Sequence, residues 1–252
     1  MRATTLHAPF DIRVSEVPDP QVQRPTDAVV RVSAACVCGS DLWPYRGIND
    51  IRPGQRIGHE FVGIVEAVGD AVTSVRPGDF VIAPFAISDN TCRVCRAGIH
   101  TSCENGSWWG GRDREGLWID GGQGERVRVP LADGTLVATP GQPTAEQLPD
   151  LLTLSDVMGT GWHCAASAGV APGDTVAVIG DGAVGLCAVL AARLQGATRI
   201  IAMSRHEVRA AIATEFGATE VVGERGDEAV ARLHAVTDGL GVDVALECVG
   251  TD

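Results

Sequence analysis

Three side chains far apart in this chain have the donor types of a zinc site: Cys38, His59 and Asp156. Each lies in a distinctive setting, Cys38-Gly39-Ser40-Asp41, Gly58-His59-Glu60 and Leu154-Ser155-Asp156. Zinc that acts as a Lewis acid takes three protein ligands and keeps one position open for a substrate oxygen. A bound alcohol then ionises near neutral pH and can release hydride. Taken singly, a cysteine is more often a small core residue. The order of the three settings, followed by a glycine fingerprint, carries the metal reading. A second group, Cys92, Cys95 and Cys103, is compact enough to close a small loop around a structural metal. The bland reading is a reduced, empty, cysteine-rich loop.

Gly180-Asp181-Gly182-Ala183-Val184-Gly185 follows the apolar run Thr175 to Ile179 and opens an Ala-rich helical stretch. That context is what a dinucleotide fingerprint requires. Gly180 permits a tight turn, Gly182 lets backbone approach a pyrophosphate, and Gly185 lets the helix lie close to the strand. Ala183 and Val184 begin the helix whose N-terminus holds the phosphates. Where an acidic side chain would read the ribose of NAD, the chain places Ser204, and Arg205 follows. A hydroxyl and a guanidinium suit a 2′-phosphate, so NADP is expected over NAD. The bland alternative for Arg205 is a solvated residue at a helix start.

The elements that must position these residues change character near residue 150. Before it, short β-like runs alternate with Pro- and Gly-rich turns: 28–33, 61–68, and 80–83 after Arg76-Pro77-Gly78-Asp79. Many short strands of this kind make a closed or sandwiched β domain. After it, strands at 175–179, 199–203, 220–222 and 242–249 alternate with helices at 183–194, 207–216 and 227–237. Such alternation signals a doubly wound parallel sheet. The fold class expected is therefore α/β, with a β-rich domain over 1–150 and a partial Rossmann domain over 151–252. Such a sheet normally has six strands. Only four are readable before Asp252, which leaves the last as an apolar edge and the nucleotide-binding domain incomplete.

These motifs resemble the zinc-dependent medium-chain alcohol dehydrogenases along the whole chain. The resemblance implies a GroES-like catalytic domain, a zinc held by Cys38, His59 and Asp156, and Glu60 just behind the metal. Many relatives have a second cysteine where Asp156 stands. It implies that Ser40 hydrogen-bonds the substrate oxygen and passes its proton outward. A histidine that extends this relay in many relatives is replaced by Trp43, which would wall the pocket. Thr160, before Gly161, is expected beside the cofactor. The family's second zinc has four cysteines, but the first position here is Asp89. The site is then either Asp89 plus Cys92, Cys95 and Cys103, or a three-cysteine remnant. Cys36 is expected on the opposite face of a strand from Cys38, in the core, and His163 and Cys164 are read as packing or lining residues, not ligands. Trp108, Trp109 and Trp118 are read as packing beneath a long loop, with a substrate-lining role as the alternative.

Composition bounds the rest. With 45% hydrophobic and 21% charged residues the chain reads as a soluble globular protein. A net charge of -12 argues against nucleic acid. No apolar run reaches membrane-spanning length and no leader opens the chain, so cytoplasmic residence is expected. The expected partner is a small alcohol or carbonyl compound, with a homo-oligomer if full length. The expected function is zinc-dependent hydride transfer between NADP(H) and an alcohol, aldehyde or ketone. Two other readings stand: a zinc-free quinone reductase of the same superfamily, and a truncated, non-catalytic chain that binds zinc.

Overall fold

The computed structural model describes residues 1–250. The chain divides into two compact units, Met1–Asp156 and Val157–Asp252.

The first unit is built on a five-stranded antiparallel sheet. Its strands are β3 (Ala28–Ala35), β5 (Phe61–Val68), β6 (Phe80–Ala83), β9 (Arg126–Val129) and β10 (Val137–Ala138), in the order β10-β6-β5-β3-β9. β1 (Arg2–Ala8), β2 (Asp11–Glu16) and β4 (Gln55–Arg56) make a second sheet, and β7 (Ala86–Ile87) pairs with β8 (Ser107–Trp108). Four short helices, α1 (Leu42–Tyr45), α2 (Arg93–Arg96), α3 (Ala132–Thr135) and α4 (Leu148–Thr153), interrupt the strands. β-branched residues fill the sheet because they fit a half-buried pleated surface. Val30, Phe61, Val65, Val81, Val127 and Val129 form the core. Val62, Phe80, Ile82 and Leu152 form a smaller cluster on α4's side.

The second unit is a parallel sheet of β11 (Thr175–Ile179), β12 (Arg199–Met203), β13 (Glu220–Val222) and β14 (Val244–Glu247), in the order β13-β12-β11-β14. Helices α5 (Val157–Ser167), α6 (Ala183–Leu194), α7 (Glu207–Phe216) and α8 (Gly226–Val236) accompany it. This order, with the first strand inside and the chain reversing beside it, is that of a doubly wound sheet. The runs on β11 and β12 are buried almost throughout, as parallel strands covered on both faces must be. The strand expected over 242–249 is shorter, since only 244–247 pair with β11.

Two glycines explain the close approach of helix and strand. A Cβ at residue 185 would run into the Gly180 carbonyl oxygen, so α6 reaches β11 only through glycine. A Cβ at residue 161 would lie 2.7 Å from the Ala188 nitrogen, so α5 reaches α6 the same way.

Cys36 departs from the expectation. β3 ends at Ala35, so neither Cys36 nor Cys38 lies in a strand, and alternation over two residues would in any case place both on one face. Cys36 packs, half-buried, against the smaller cluster around Val62 and Leu152.

Candidate metal centres and cofactor site

Cys38 lies just past β3, at the mouth of a single tight turn over Gly39–Asp41. His59 and Glu60 immediately precede β5, and Asp156 ends the first unit. The fold thus brings together four donor residues, Cys38, His59, Glu60 and Asp156, with their ligand atoms all within 4.8 Å of one another. His59 Nε2 lies 3.5 Å from Asp156 Oδ2 and 3.9 Å from Glu60 Oε1. The Ser40 hydroxyl is 3.4 Å from the same nitrogen.

The electrostatics of this group call for a cation. Glu60 is 2% exposed, and its Oε1 is buried with no hydrogen-bond partner. Burial pushes its carboxyl up from the usual value, and the nearby Asp156 and Asp41 add to that push. Burial alone would lower the His59 imidazole, yet Asp156, Asp41 and Cys38 together drive it up to about 12. A lone imidazole is here the one base facing a thiol and three carboxyl groups. A thiol, an imidazole and carboxylates are also the donor set that zinc takes. The residues present therefore fit the metal.

Asp41 joins this group, though its sequence position did not single it out. It is 8% exposed, and its Oδ1 is 3.3 Å from His59 Nδ1. Its Oδ2 accepts hydrogen bonds from the Cys38 amide at 3.0 Å and from Gln123 Nε2 at 3.2 Å. It thereby fixes the turn carrying Cys38 and the ring of His59 with one carboxylate. The available signal was its place at the end of Cys-Gly-Ser-Asp, where a short acidic side chain caps its own turn.

The second group, Asp89, Cys92, Cys95 and Cys103, also has its ligand atoms within 4.8 Å of one another. Backbone amides point at the sulfurs: Cys95 and Glu104 donate to Cys92 Sγ, and Asp89 donates to Cys103 Sγ. Asp89 accepts from the Thr91 and Cys92 amides and from Asn105 Nδ2. Burial would raise the Asp89 carboxyl, but these bonds hold it well below the usual value. The Cys95 thiol is pushed up to about 12, first by burial and then by Cys103, Cys92 and Asp89. All eight cysteines are free thiols, with Cys92 Sγ and Cys103 Sγ 3.9 Å apart. Four donors crowded together without a disulfide again fit a metal better than an empty loop.

The tryptophans divide. Trp109 packs edge-on against Phe61 at 5.0 Å and donates to the Pro84 carbonyl. Trp118 is clasped by the guanidinium groups of Arg52 and Arg112, at 4.3 and 4.0 Å. Trp108 is not beneath the loop as expected: it is 52% exposed, stacked only on Phe85. Trp43, on α1, is 39% exposed.

In the second unit the fingerprint forms the turn from β11 into α6. Gly180 has φ +109°, which a side chain would strain. Gly182 caps α6 without a side-chain hydrogen bond, and a Cβ built there would meet no protein atom. The protein's own packing therefore makes no demand for glycine at 182, whereas a ligand close to the backbone would. The α6 N-terminus leaves its first amides for an anion. Ser204 directly follows β12, which ends at Met203, but it is 3% exposed, and its hydroxyl donates to Asp181 Oδ2 at 2.7 Å. Arg205 and His206 are exposed. Thr160 lies on α5 and takes part in an interaction of its own. His163 bonds Ser167 on the exposed side of that helix, whereas Cys164 packs against the core.

Among the described residues no helix is long and apolar enough to cross a membrane. Residues 24–141 match the model of the alcohol dehydrogenase GroES-like domain, and residues 183–252 match that of the zinc-binding dehydrogenases. The chain is 36% identical to an alcohol dehydrogenase of Cupriavidus necator, over 100% of this chain and 70% of that protein. Among solved structures it is similar to alcohol dehydrogenase TADH from Thermus sp. ATN1, with a TM-score of 0.88 and 37% identity over 100% of this chain and 71% of that one. It is also similar to a zinc-binding dehydrogenase of Sinorhizobium meliloti 1021 solved bound to NADP, with a TM-score of 0.80 and 31% identity over 99% and 70% of the two chains. Two family models in sequence order, and relatives matched from end to end of this chain, make it a member of the zinc-dependent medium-chain alcohol dehydrogenase family, an oxidoreductase with a GroES-like domain followed by a Rossmann domain.

Proposed function

We propose that the chain transfers hydride between NADP(H) and a small alcohol, aldehyde or ketone, with one zinc at Cys38, His59 and Asp156. The observation that carries this is the gathering of a thiol, an imidazole and two carboxylates within 4.8 Å, one carboxylate oxygen buried without a partner. When bound, zinc would supply Lewis acidity toward the substrate oxygen, and the nicotinamide would supply or accept the hydride. The chain's own residues supply the rest. Asp41 takes the Nδ1 side of His59, which leaves Nε2 as the donor atom. Ser40, 3.4 Å from that nitrogen, stands where a hydroxyl can hold and pass a proton. Glu60 adds negative charge behind the site. Gly180, Gly182, Ala183, Val184 and Gly185 would hold the cofactor's pyrophosphate at the start of α6, with Thr160 beside the cofactor. Asp89, Cys92, Cys95 and Cys103 would hold a second zinc, in a structural role.

The NADP preference rests on the absence of an acidic side chain at residue 204 and on the exposed guanidinium of Arg205. The similar Sinorhizobium protein was solved with NADP, which agrees with that preference.

Metal analysis of the purified protein tests the assignment. We expect zinc in the wild type and a Cys38→Ala/Asp156→Ala double variant that loses one equivalent of it. Unchanged zinc content in that variant sinks the ligand assignment. Equal kcat/KM with NAD and NADP sinks the cofactor reading and leaves the zinc reading standing.

A further inference from the structure

In a dinucleotide-binding sheet the end of the second strand reads the ribose, and an acid there favours an unphosphorylated 2′-hydroxyl. The residue at that place, Ser204, is buried, and its hydroxyl is spent on Asp181 Oδ2 at 2.7 Å. The other carboxylate oxygen of Asp181 accepts from Arg209 Nη1 at 3.1 Å. Three elements thus meet at one carboxylate: the glycine turn after β11, the end of β12, and the first turn of α7. A strand-end acid is missing from the sequence, yet a carboxylate stands one hydrogen bond from where it would be.

We propose that Asp181 is the discriminating carboxylate at the ribose end of the cofactor site, with Arg209 as its counter-ion, and that this pair sets how strongly the site takes a 2′-phosphate. The proposal deepens the NADP reading above and rests on the same site. Asp181 is ionised in this setting: burial pushes its carboxyl up, but the bonds from Ser204 and Arg209 hold it below the usual value. Its charge opposes a phosphate and suits ribose hydroxyls. Arg209 offsets that charge, and a guanidinium has further N–H donors to offer a phosphate while it keeps Asp181. Asp181 is 12% exposed at its side chain, whereas Arg209 is half exposed, so the carboxylate is the fixed member and the arginine the adjustable one. Arg205, which directly follows Ser204, is exposed.

The two halves of the pair predict opposite effects, which a purely structural role does not. Calorimetric titration of the full chain with 2′,5′-ADP and with 5′-AMP reads them without turnover. Asp181→Asn, which retains an acceptor for Ser204, removes the opposing charge and frees Arg209. It should raise the 2′,5′-ADP to 5′-AMP affinity ratio by about fivefold. Arg209→Gln leaves the carboxylate uncompensated and should lower the ratio by about the same factor, with Arg209→Lys restoring much of it. Affinity for 5′-AMP should stay within about twofold throughout. A ratio unmoved in both variants overturns the proposal. A ratio that falls in both also overturns it, because Asp181 is then only a scaffold for Arg209. If the wild type binds both nucleotides alike while the variants still shift in opposite directions, the NADP reading fails and the charge pair stands.

Discussion

At the scale of single residues, the ligand-type side chains were legible because zinc chemistry restricts the donors to Cys, His and carboxylate, and their local settings are distinctive. Their orienting partners were not. Asp41 acts through two contacts, one to the adjacent turn and one to His59, and only the fold brings the second within reach. The same is true of Asp181, which sits inside a motif read for its glycines and whose partners, Ser204 and Arg209, come from β12 and α7. Partners that orient metal-binding histidines typically change metal affinity or activity by about 10- to 100-fold. We expect Asp41→Ala to lower kcat by that order and to lower zinc occupancy, while Asp41→Asn, which keeps an acceptor oxygen, retains most of both. The check is kcat and metal content measured together on each variant. If Asp41→Ala keeps full zinc and full kcat, the turn and the ring are held by other contacts.

At the scale of elements, the strands at 175–179, 199–203 and 220–222 and helices α6 and α7 were readable nearly to the residue, since buried parallel strands are short continuous apolar runs and both helices stop at or just before a glycine, whereas α5 was not read at all. The first unit was less readable. Which strand lies beside which depends on contacts between distant segments, and periodicity carries no such information. Asp27 and Arg128 show the limit. Both are of charged types that mostly lie at the surface, yet they are 0% and 6% exposed at their side chains and pair at 2.9 Å. The antiparallel register of β3 on β9 brings them within reach diagonally: Asp27 directly precedes β3, and Arg128 lies opposite Val29. Asp27 also accepts from the Gln23 and Arg24 amides and so fixes the entry into β3. Removing one partner of a buried pair leaves the other charge without compensation, which costs about 3–5 kcal/mol. Arg128→Met should therefore destabilise the first unit by that order. Asp27→Leu/Arg128→Met together should cost less than the two single changes summed, because neither charge is then stranded. Chemical denaturation of the three variants checks this. Additive losses mean the pair is not coupled.

At the scale of the whole molecule, the two units differ in what holds them. The second has a continuous apolar core of Val176, Val178, Ala188, Ile200 and Leu246 between sheet and helices. The segment from Asp89 to Cys103 in the first has little such core. It contains one turn of α-helix, one tighter turn at His100–Ser102, one buried cysteine and a set of amides pointed at sulfur. A segment of that kind takes its order from whatever binds its four donors, because metal bound only to the folded form adds its binding free energy to stability. Chelation should therefore lower the melting temperature of the first unit. For a chain of this size each kcal/mol lost corresponds to about 2–4 °C. The effect should persist in Cys38→Ala, whose second cluster is intact, and vanish in Cys92→Ser/Cys95→Ser, which starts from the lower value. Calorimetry on the three proteins with and without chelator separates the two clusters. If the wild type melts at the same temperature after both zincs have been stripped, the hydrogen bonds around Asp89 suffice to hold the loop, and the second cluster contributes nothing to the fold.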